Sequence, residues 1–311
     1  MKHSQDIGLS VVIPVYNKQE YLETCFKSIF AQTMHNLEAI AINDGSTDAS
    51  GEICDRLATQ YPRLRVIHTP NSGVTAARRR GVEAARGKYI TFVDPDDQVA
   101  EHGLDHLFQA IEQTGADEVV GAYRTQHGII VRPGITGEAD TSWMIRQLLS
   151  NKAQFCVLWA VIFRKEILQD CLTAPRIISS GEDILMQILC LVKRPKVIFI
   201  DQVVYQYTTG LPNDRKRNLE QQRAYDQHLR QGLQPVWDEM KDYYLLRQIK
   251  QYESFIAEGQ YNVLNDYFRP LRSQLSSNIP LADRIAMLLP PRIAYIPIRL
   301  RTIIASWGAA R

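Results

Sequence analysis

Carboxylate, carboxamide and guanidinium side chains recur in this sequence wherever an apolar run ends. Asn17 follows the run Leu9-Ser-Val-Val-Ile-Pro-Val15, Asn43-Asp44 follows Leu37–Ile42, and Asp94-Pro-Asp96-Asp97 follows Tyr89–Val93. A further run, Arg65–His68, leads into Asn71-Ser-Gly73 and then Arg78-Arg79-Arg80. Carboxylates and arginines converging on one rim suit a metal-bridged polyanion. A diphosphate there would be held by a divalent ion on the Asp side and by guanidinium on the Arg side. Mg²⁺ and Mn²⁺ take oxygen ligands and are typically held by one or two carboxylates plus substrate phosphates. Each cluster alone has a plainer use. Asp44-Gly45 and Asp94-Pro95 form turns, and Ser46 and Asp48 cap helices. Consecutive arginines point about 100° apart around a helix, so at most one or two reach a ligand. Their shared rim is what favours a site.

That rim exists only if the apolar runs are parallel strands. The near-continuous apolar character of 9–15 fits a strand buried on both faces. Between the first two runs, Tyr21, Leu22, Cys25, Phe26, Ile29 and Phe30 mark one face of a helix from Lys18 to Phe30. Asn17 is expected to cap it, with Glu20 reaching back. Helices through Ile53 and Leu57 and up to Ala85, the latter ended by Gly87, complete a βαβαβαβ order. It predicts an α/β fold: an open, mostly parallel sheet flanked by helices, with ligands beyond the carboxyl ends of the strands. After Asp97 the pattern predicts a helix around Leu104–Ile111 and strands at Glu118–Tyr123, Ile129–Arg132 and Val157–Phe163. Helices are expected at Trp143–Leu149 and Asp183–Val192, and strands at Val197–Ile200 and Val203–Tyr207. Beyond Gly210-Leu-Pro-Asn213 the chain reads as helical and charged.

At roughly 150 residues per domain, 311 residues suggest about two units. A content of 45% hydrophobic and 23% charged residues excludes a disordered or collagen-like chain. The five cysteines, widely spaced and never CxxC, argue against a disulfide framework and a zinc cage, and fit a reducing cytoplasm. The opening MKHSQDIG carries no apolar run, so no signal peptide is expected, and no stretch of about 18 apolar residues spans a bilayer. The net charge of +2 hides an asymmetry. Residues 1–212 hold 21 Lys+Arg against 24 Asp+Glu, net −3, and residues 213–311 hold 15 against 10, net +5. A nucleic-acid partner would call for a much stronger basic stripe. A basic tail beside an acidic body suits an anionic membrane surface or partner, or simply a solvated helix face.

Two familiar nucleotide motifs are missing, GxxxxGK[ST] and GxGxxG after the first strand, and the nucleophile elbow GxSxG and the zinc motif HExxH are absent too. The segments present resemble family 2 glycosyltransferases with the GT-A fold. The resemblance rests on Ser10-Val-Val-Ile-Pro-Val-Tyr-Asn17, Asn43-Asp-Gly-Ser-Thr-Asp48, Asn71-Ser-Gly73 with Ala77-Arg78, and Gly87-Lys-Tyr-Ile-Thr-Phe-Val-Asp-Pro-Asp-Asp97. It continues more weakly through Trp159, Gly181-Glu-Asp183 and Tyr205-Gln-Tyr207. It implies a GT-A-type, Rossmann-like sheet with a nucleotide-sugar-binding half over 1–100, an acceptor-binding half over 101–212 and a helical C-terminal region over 213–311.

The resemblance also implies roles. Pro14, Tyr16 and Asn17 would line the base and ribose pocket, Asp44 would hydrogen-bond the nucleobase, usually uracil, and Arg78 would stand near base or diphosphate. Asp94 and Asp96 form the DxD signature, engaging the ribose and a divalent metal, Mn²⁺ or Mg²⁺. Asp183, in the Glu182-Asp183 pair, matches the family's general base. Two departures concern Arg79, where the family usually has Asn, and Ala160-Val-Ile162, where a polar or basic residue often follows the Trp.

The chemistry implied is inverting transfer of a hexose-like sugar from a nucleotide diphosphate sugar, UDP-linked, to a glycan or lipid-linked saccharide, as in surface polysaccharide biosynthesis. Asp183 has a competing use, because a carboxylate at a helix start favours the macrodipole. That position would lower its pKa and weaken it as a base, whereas burial would oppose the shift. Trp159 reads equally as a sugar-stacking face or as core. Residues 281–311 mix Leu, Ile and Trp307 with five arginines and one Asp. They fit an in-plane membrane contact at the inner face of the cell membrane, or packing against the catalytic domain. The alternatives are a nucleotide-sugar or glycan-binding module without turnover, and a nucleotidyltransferase. The latter would need a Gly-rich loop where Tyr16-Asn17-Lys18 stands.

Overall fold

The computed structural model describes residues 7–210, 218–264 and 267–309, with side chains up to residue 301. The opening residues 1–6, the expected turn at 210–213 beyond Gly210 and the side chain of Trp307 lie outside this description. Two compact units are present, one of residues 1–144 with 153–214, the other of 145–152 with 215–311.

The first unit alternates β1 (Leu9–Val15), α1 (Leu22–Phe30), β2 (Leu37–Asp44), α2 (Ser50–Gln60), β3 (Leu64–Thr69), α3 (Val74–Ala84) and β4 (Tyr89–Phe92). It continues through β5 (Gln98–Val99), α4 (Gly103–Thr114), β6 (Glu118–Thr125), β7 (Ile130–Val131) and β8 (Gly137–Ala139). Next come α5 (Thr141–Leu149), which crosses the boundary between the units, β9 (Val161–Arg164), α6 (Glu182–Leu191) and β10 (Val197–Tyr207). One sheet runs β3-β2-β1-β4-β9-β6-β10-β5, with β7 on β6 and β8 on β10. β1 pairs parallel with β2 and β4, and β2 with β3, so all four strands end on one edge. β9 is antiparallel to β4 and β6, which makes the sheet mixed. Every residue of β1 and β2 is buried. This is why those segments are apolar in nearly every position instead of alternating.

Pro14 sits in the interior strand β1, where a missing N–H normally disrupts a ladder. Its imide faces the β4 side, where the ladder already ends with Val93 N–H donating to Val12 O at 3.1 Å. Gly81 sets how closely α3 lies on β1, since a Cβ there would meet Val12 Cγ1 at 2.2 Å. That close approach brings Arg78, one turn earlier, in under the rim.

Several local expectations change. α1 begins at Leu22, behind Tyr21, with no side-chain cap. Asn17 takes a left-handed φ of 51° and turns its side chain to the next loop instead, so the predicted capping pair with Glu20 is absent. α3 ends at Ala84, before Gly87, whose N–H donates to Ser10 Oγ at 2.9 Å. Residues 157–160 are not strand; Ala160 has φ 58° and β9 starts only at Val161. Conversely, 197–207 form one continuous strand with register shifts, because the polar pair Asp201-Gln202 simply faces solvent.

The second unit contains α7 (Leu219–Gly232), α8 (Trp237–Ala257), α9 (Leu281–Leu288) and α10 (Pro291–Ala309). Its own core gathers Ile249, Tyr252, Phe255, Phe268, Met287 and Ile298. Buried Glu253 and Asp283 are neutralised together by Lys250 and Arg301, with Arg301 reaching both at 2.6 Å. Among the described residues, no helix is long and apolar enough to cross a membrane.

Candidate functional site

The loops leaving β1, β2 and β4 meet on one edge and are stitched together by the polar residues of the sequence motifs. Asn17 Oδ1 accepts from Thr47 N–H at 2.8 Å, and Asn17 N–H donates to Ser46 Oγ at 3.1 Å, tying the β1 exit to the β2 exit. Tyr16 is 47% exposed beside them, whereas Pro14 is buried inside β1. Asp44 is buried and spans the gap to α3. Its two oxygens accept from Ser72 and Gly73 N–H, each at 2.8 Å. The carboxylate fixes the approach to α3, and the Thr69 hydroxyl lies within 3.4 Å of its Oδ1.

Arg78 is the hub. Its guanidinium is buried, with Nη2 donating to Asp94 Oδ1 at 3.0 Å and Nη1 to Glu182 Oε1 at 3.2 Å. Burial opposes its charge, but the neighbouring Asp94, Glu182 and Asp183 outweigh that and raise its pKa. Of the arginine triplet only Arg78 turns inward; Arg79 and Arg80 are exposed. The acidic turn closes with Asp97 N–H donating to Asp94 O. Asp96 pairs with Lys18 Nζ at 2.5 Å. Asp97 points away from the rim into the protein, where its oxygens accept from Tyr205 Oη at 2.9 Å and Thr208 N–H at 2.7 Å. Burial pushes its carboxyl up to about 7, and Asp94 and Asp96 add to the rise. Tyr205 Oη in turn accepts from Asp94 N–H at 3.0 Å. The end of β10 thus holds the acidic turn in place.

Asp94 and Asp96 keep partly open side chains, 27% and 16% exposed. Among the described residues, no group of three or more His, Cys, Asp or Glu side chains could hold a metal alone. The donor set still fits a hard divalent cation that takes one or two carboxylates and completes its shell with phosphate oxygens and water.

Beside this rim lies a cavity of 380 Å³ whose lining includes Tyr123, Arg132, Gln154, Trp159 and Asp183. Trp159 is neither simple core nor a free platform. Its indole stacks with Tyr207 at 4.9 Å and Tyr205 at 5.1 Å, and Tyr123 meets it edge-on at 4.7 Å. Asp183 stands in the first turn of α6, behind Gly181 at φ 80°. Ile184 N–H donates to its Oδ1 at 2.8 Å, yet its pKa is raised. Desolvation dominates and Glu182 adds to it, outweighing the Ile184 N–H and Arg78.

Residues 10–172 match the family described as glycosyl transferase family 2. The chain belongs to this family. EpsJ of Bacillus subtilis, an uncharacterized glycosyltransferase, is 31% identical over 234 residues, covering 73% of this chain and 67% of that protein. Glycosyltransferase GlyG of Streptococcus pneumoniae is 47% identical over 116 residues, 37% of this chain. The match spans only 38% of GlyG's length. The crystal structure of S. aureus TarS 1–349 in complex with UDP-GlcNAc superimposes with a TM-score of 0.63, at 18% identity, over 98% of this chain and 92% of that one. At that identity the likeness is one of fold, and it agrees with the expected open, mostly parallel GT-A-type sheet with a helical C-terminus.

Of the residues singled out in the sequence, Asp94 and Glu182, beside Asp183, are joined through Arg78, Asp96 lies on the same turn as Asp94, and Asp44 is tied to the approach to α3. Sequence reasoning missed Lys18 as the partner of Asp96, although a cation directly after Asn17 on a strand exit was a usable signal. It also missed Tyr123, Arg132 and Gln154, which come from segments with no recognisable motif. Tyr205 is buried, and its hydroxyl donates to Asp97.

Proposed function

We propose that this chain catalyses inverting transfer of a sugar from a nucleoside diphosphate sugar, UDP-linked, onto a saccharide acceptor seated in the 380 Å³ cavity. One observation carries the reading: Asp183, a cavity-lining carboxylate of raised pKa, is joined through its neighbour Glu182 and the buried Arg78 to Asp94 of the acidic turn. Donor and acceptor chemistry therefore share one electrostatic unit. The UDP-GlcNAc bound by TarS, the poly(ribitol-phosphate) beta-glucosyltransferase of Bacillus spizizenii and GgaB, the minor teichoic acid biosynthesis protein of Bacillus subtilis, support a uridine donor and a cell-surface polymer.

Asp183 takes the acceptor hydroxyl proton as that oxygen bonds to the anomeric carbon. The carbon–oxygen bond to the diphosphate breaks with its electron pair leaving on the nucleotide. Asp94 and Asp96 would hold Mn²⁺ or Mg²⁺, which when bound supplies Lewis-acid stabilisation of the leaving diphosphate. Arg78 keeps Asp94 oriented, and the Asp44-anchored loop with Tyr16 and Asn17 frames the base and ribose. The stacked Trp159 forms an apolar wall that a sugar face can meet. A glycan or lipid-linked saccharide suits the open cavity, and a lipid-linked acceptor would place the reaction at the inner face of the cell membrane.

A thermal-shift panel of nucleotide sugars, each with and without Mn²⁺, tests the donor reading, because a ligand that binds only the folded state raises apparent stability by mass action. Stabilisation by a UDP-sugar that grows with Mn²⁺ and is lost in Asp96→Asn is expected. A panel in which no nucleotide sugar shifts the melting point would reject it.

A further inference from the structure

The second unit turns a row of large apolar side chains to solvent. On α9, Leu281, Ile285 and Leu288 are 63%, 46% and 60% exposed; on α10, Ile293, Ile296 and Leu300 are 52%, 60% and 55% exposed. The spacing explains how they come to share faces. At about 100° per residue, each trio spans less than a quarter of its helix circumference. The opposite faces carry Asp283, Ala286 and Met287 on α9, and Ala294 and Ile298 on α10, all buried. The exposed residues therefore point directly away from the core that folds these helices. Isolated surface leucines are ordinary, but six large apolar residues on two packed helices are a patch that calls for a partner.

Charge identifies the partner. Arg292 and Arg299 are exposed on one flank of the α10 arc, while Arg284, beside the α9 arc, is half-buried with its Nε shielded from solvent. The one carboxylate of the two helices up to residue 301, Asp283, faces inward and is consumed by Lys250 and Arg301. The two helices up to residue 301 thus present apolar arcs, exposed arginines beside the α10 arc and no exposed acid of their own. A second copy laid against the same face by two-fold symmetry would set arginine against arginine. A water–lipid interface with anionic headgroups satisfies both halves at once, burying the apolar arc while the guanidiniums meet phosphate.

We propose that the outward faces of α9 and α10 form an in-plane docking surface for an anionic lipid bilayer. Binding of this kind needs no catalysis, so it stands whether or not the donor reading is right. Leu289 and Pro290 separate α9 from α10, Pro297 lies inside α10 without ending it, and both helices present the same kind of arc.

The test is flotation of the full chain with vesicles of phosphatidylcholine alone and of equal parts phosphatidylcholine and phosphatidylglycerol. Partition onto the mixed vesicles is expected to exceed that onto phosphatidylcholine by on the order of tenfold, and to fall with added salt. Ile285→Ser/Ile296→Ser/Leu300→Ser and Arg292→Glu/Arg299→Glu should each lower it by about tenfold, with melting points unchanged because these side chains touch little protein. Failure of the wild-type chain to float with either vesicle, or equal flotation of both variants and wild type, would overturn the proposal. So would a concentration-dependent dimer that the serine variant abolishes while vesicles capture nothing. The donor thermal-shift readout of these variants should match the wild type, which keeps this outcome separate from that of the transfer reaction.

Discussion

Arg78 and Asp94 form a 3.0 Å ion pair at the rim of the parallel half of the sheet, with the guanidinium 6% and the carboxylate 27% exposed. The second arm of the same guanidinium holds Glu182, next to Asp183. A planar, forked cation presents two rigid arms to two carboxylates at once, a geometry the single ammonium of a lysine does not reproduce.

Replacing Arg78 tests that bridge. Arg78→Met leaves Asp94 and Glu182 facing a buried void without their cation, a change expected to cost a few kcal/mol. Transfer should fall by at least about 100-fold, since both the acidic turn and the neighbour of the base lose their anchor. Arg78→Lys should recover much of the melting temperature but little of the activity. Full activity in the lysine variant would show that the fork is not needed.

Asp183→Asn keeps the shape of the cavity wall and removes only the proton acceptor. A turnover loss of roughly 10²–10⁴-fold is expected, with nucleotide-sugar stabilisation unchanged. Near-normal turnover would reduce Asp183 to a helix-start residue.

Tyr205→Phe deletes one hydroxyl that serves both Asp97 and the backbone of Asp94. Leaving these buried groups short of a partner should cost about 1–3 kcal/mol. The Michaelis constant for the donor should rise more than the turnover number falls, because the acidic turn is loosened while Asp183 is untouched. An unchanged donor constant would argue that the turn holds itself.

Glu118 makes stability depend on pH. It is fully buried on β6, where Gln187 Nε2 donates to its Oε1 at 2.6 Å. Its Oε2 and Gln187 Oε1 are both buried without a partner, and a proton on Glu118 would supply a donor to this pair. Burial pushes the carboxyl up to about 8, against about 4.3 in an unfolded chain. Between those values the folded state holds the extra proton. This contribution to stability is therefore complete below the unfolded value and is lost as pH rises through about 8. Urea melts of Glu118→Gln should show a shallower loss of stability than the wild type between about pH 5 and about pH 9. Parallel curves would mean that Glu118 does not titrate there.

The first, parallel half of the sheet was legible because buried parallel strands leave unbroken apolar runs and their exits must be polar turns. Leu9–Val15, Leu37–Asp44 and the acidic turn at Asp94 follow from those two facts. The stretch after Asp97 was less so. Val157-Leu158-Trp159-Ala160 is apolar like a strand, yet it packs beneath a cavity with Ala160 in the left-handed region, and periodicity does not separate these cases. Val197–Tyr207 looked interrupted because Asp201 and Gln202 are polar, but exposed residues do not break a ladder of backbone hydrogen bonds.

The sequence by itself determined the order of strands and helices, the acidic and basic residues available at the rim, and the family. Local pattern suffices for that, since burial on both faces and turn chemistry act within a few residues of chain. Only the tertiary structure decided which of these groups meet. Arg78 faces inward because Gly81 lets α3 lie against β1, Asp97 turns inward to Tyr205 while Asp94 and Asp96 stay partly open, and Asp183 is made more basic by the burial its neighbours impose. Desolvation and charge pairing act across space between residues up to about a hundred positions apart, and spacing along the chain carries no record of them.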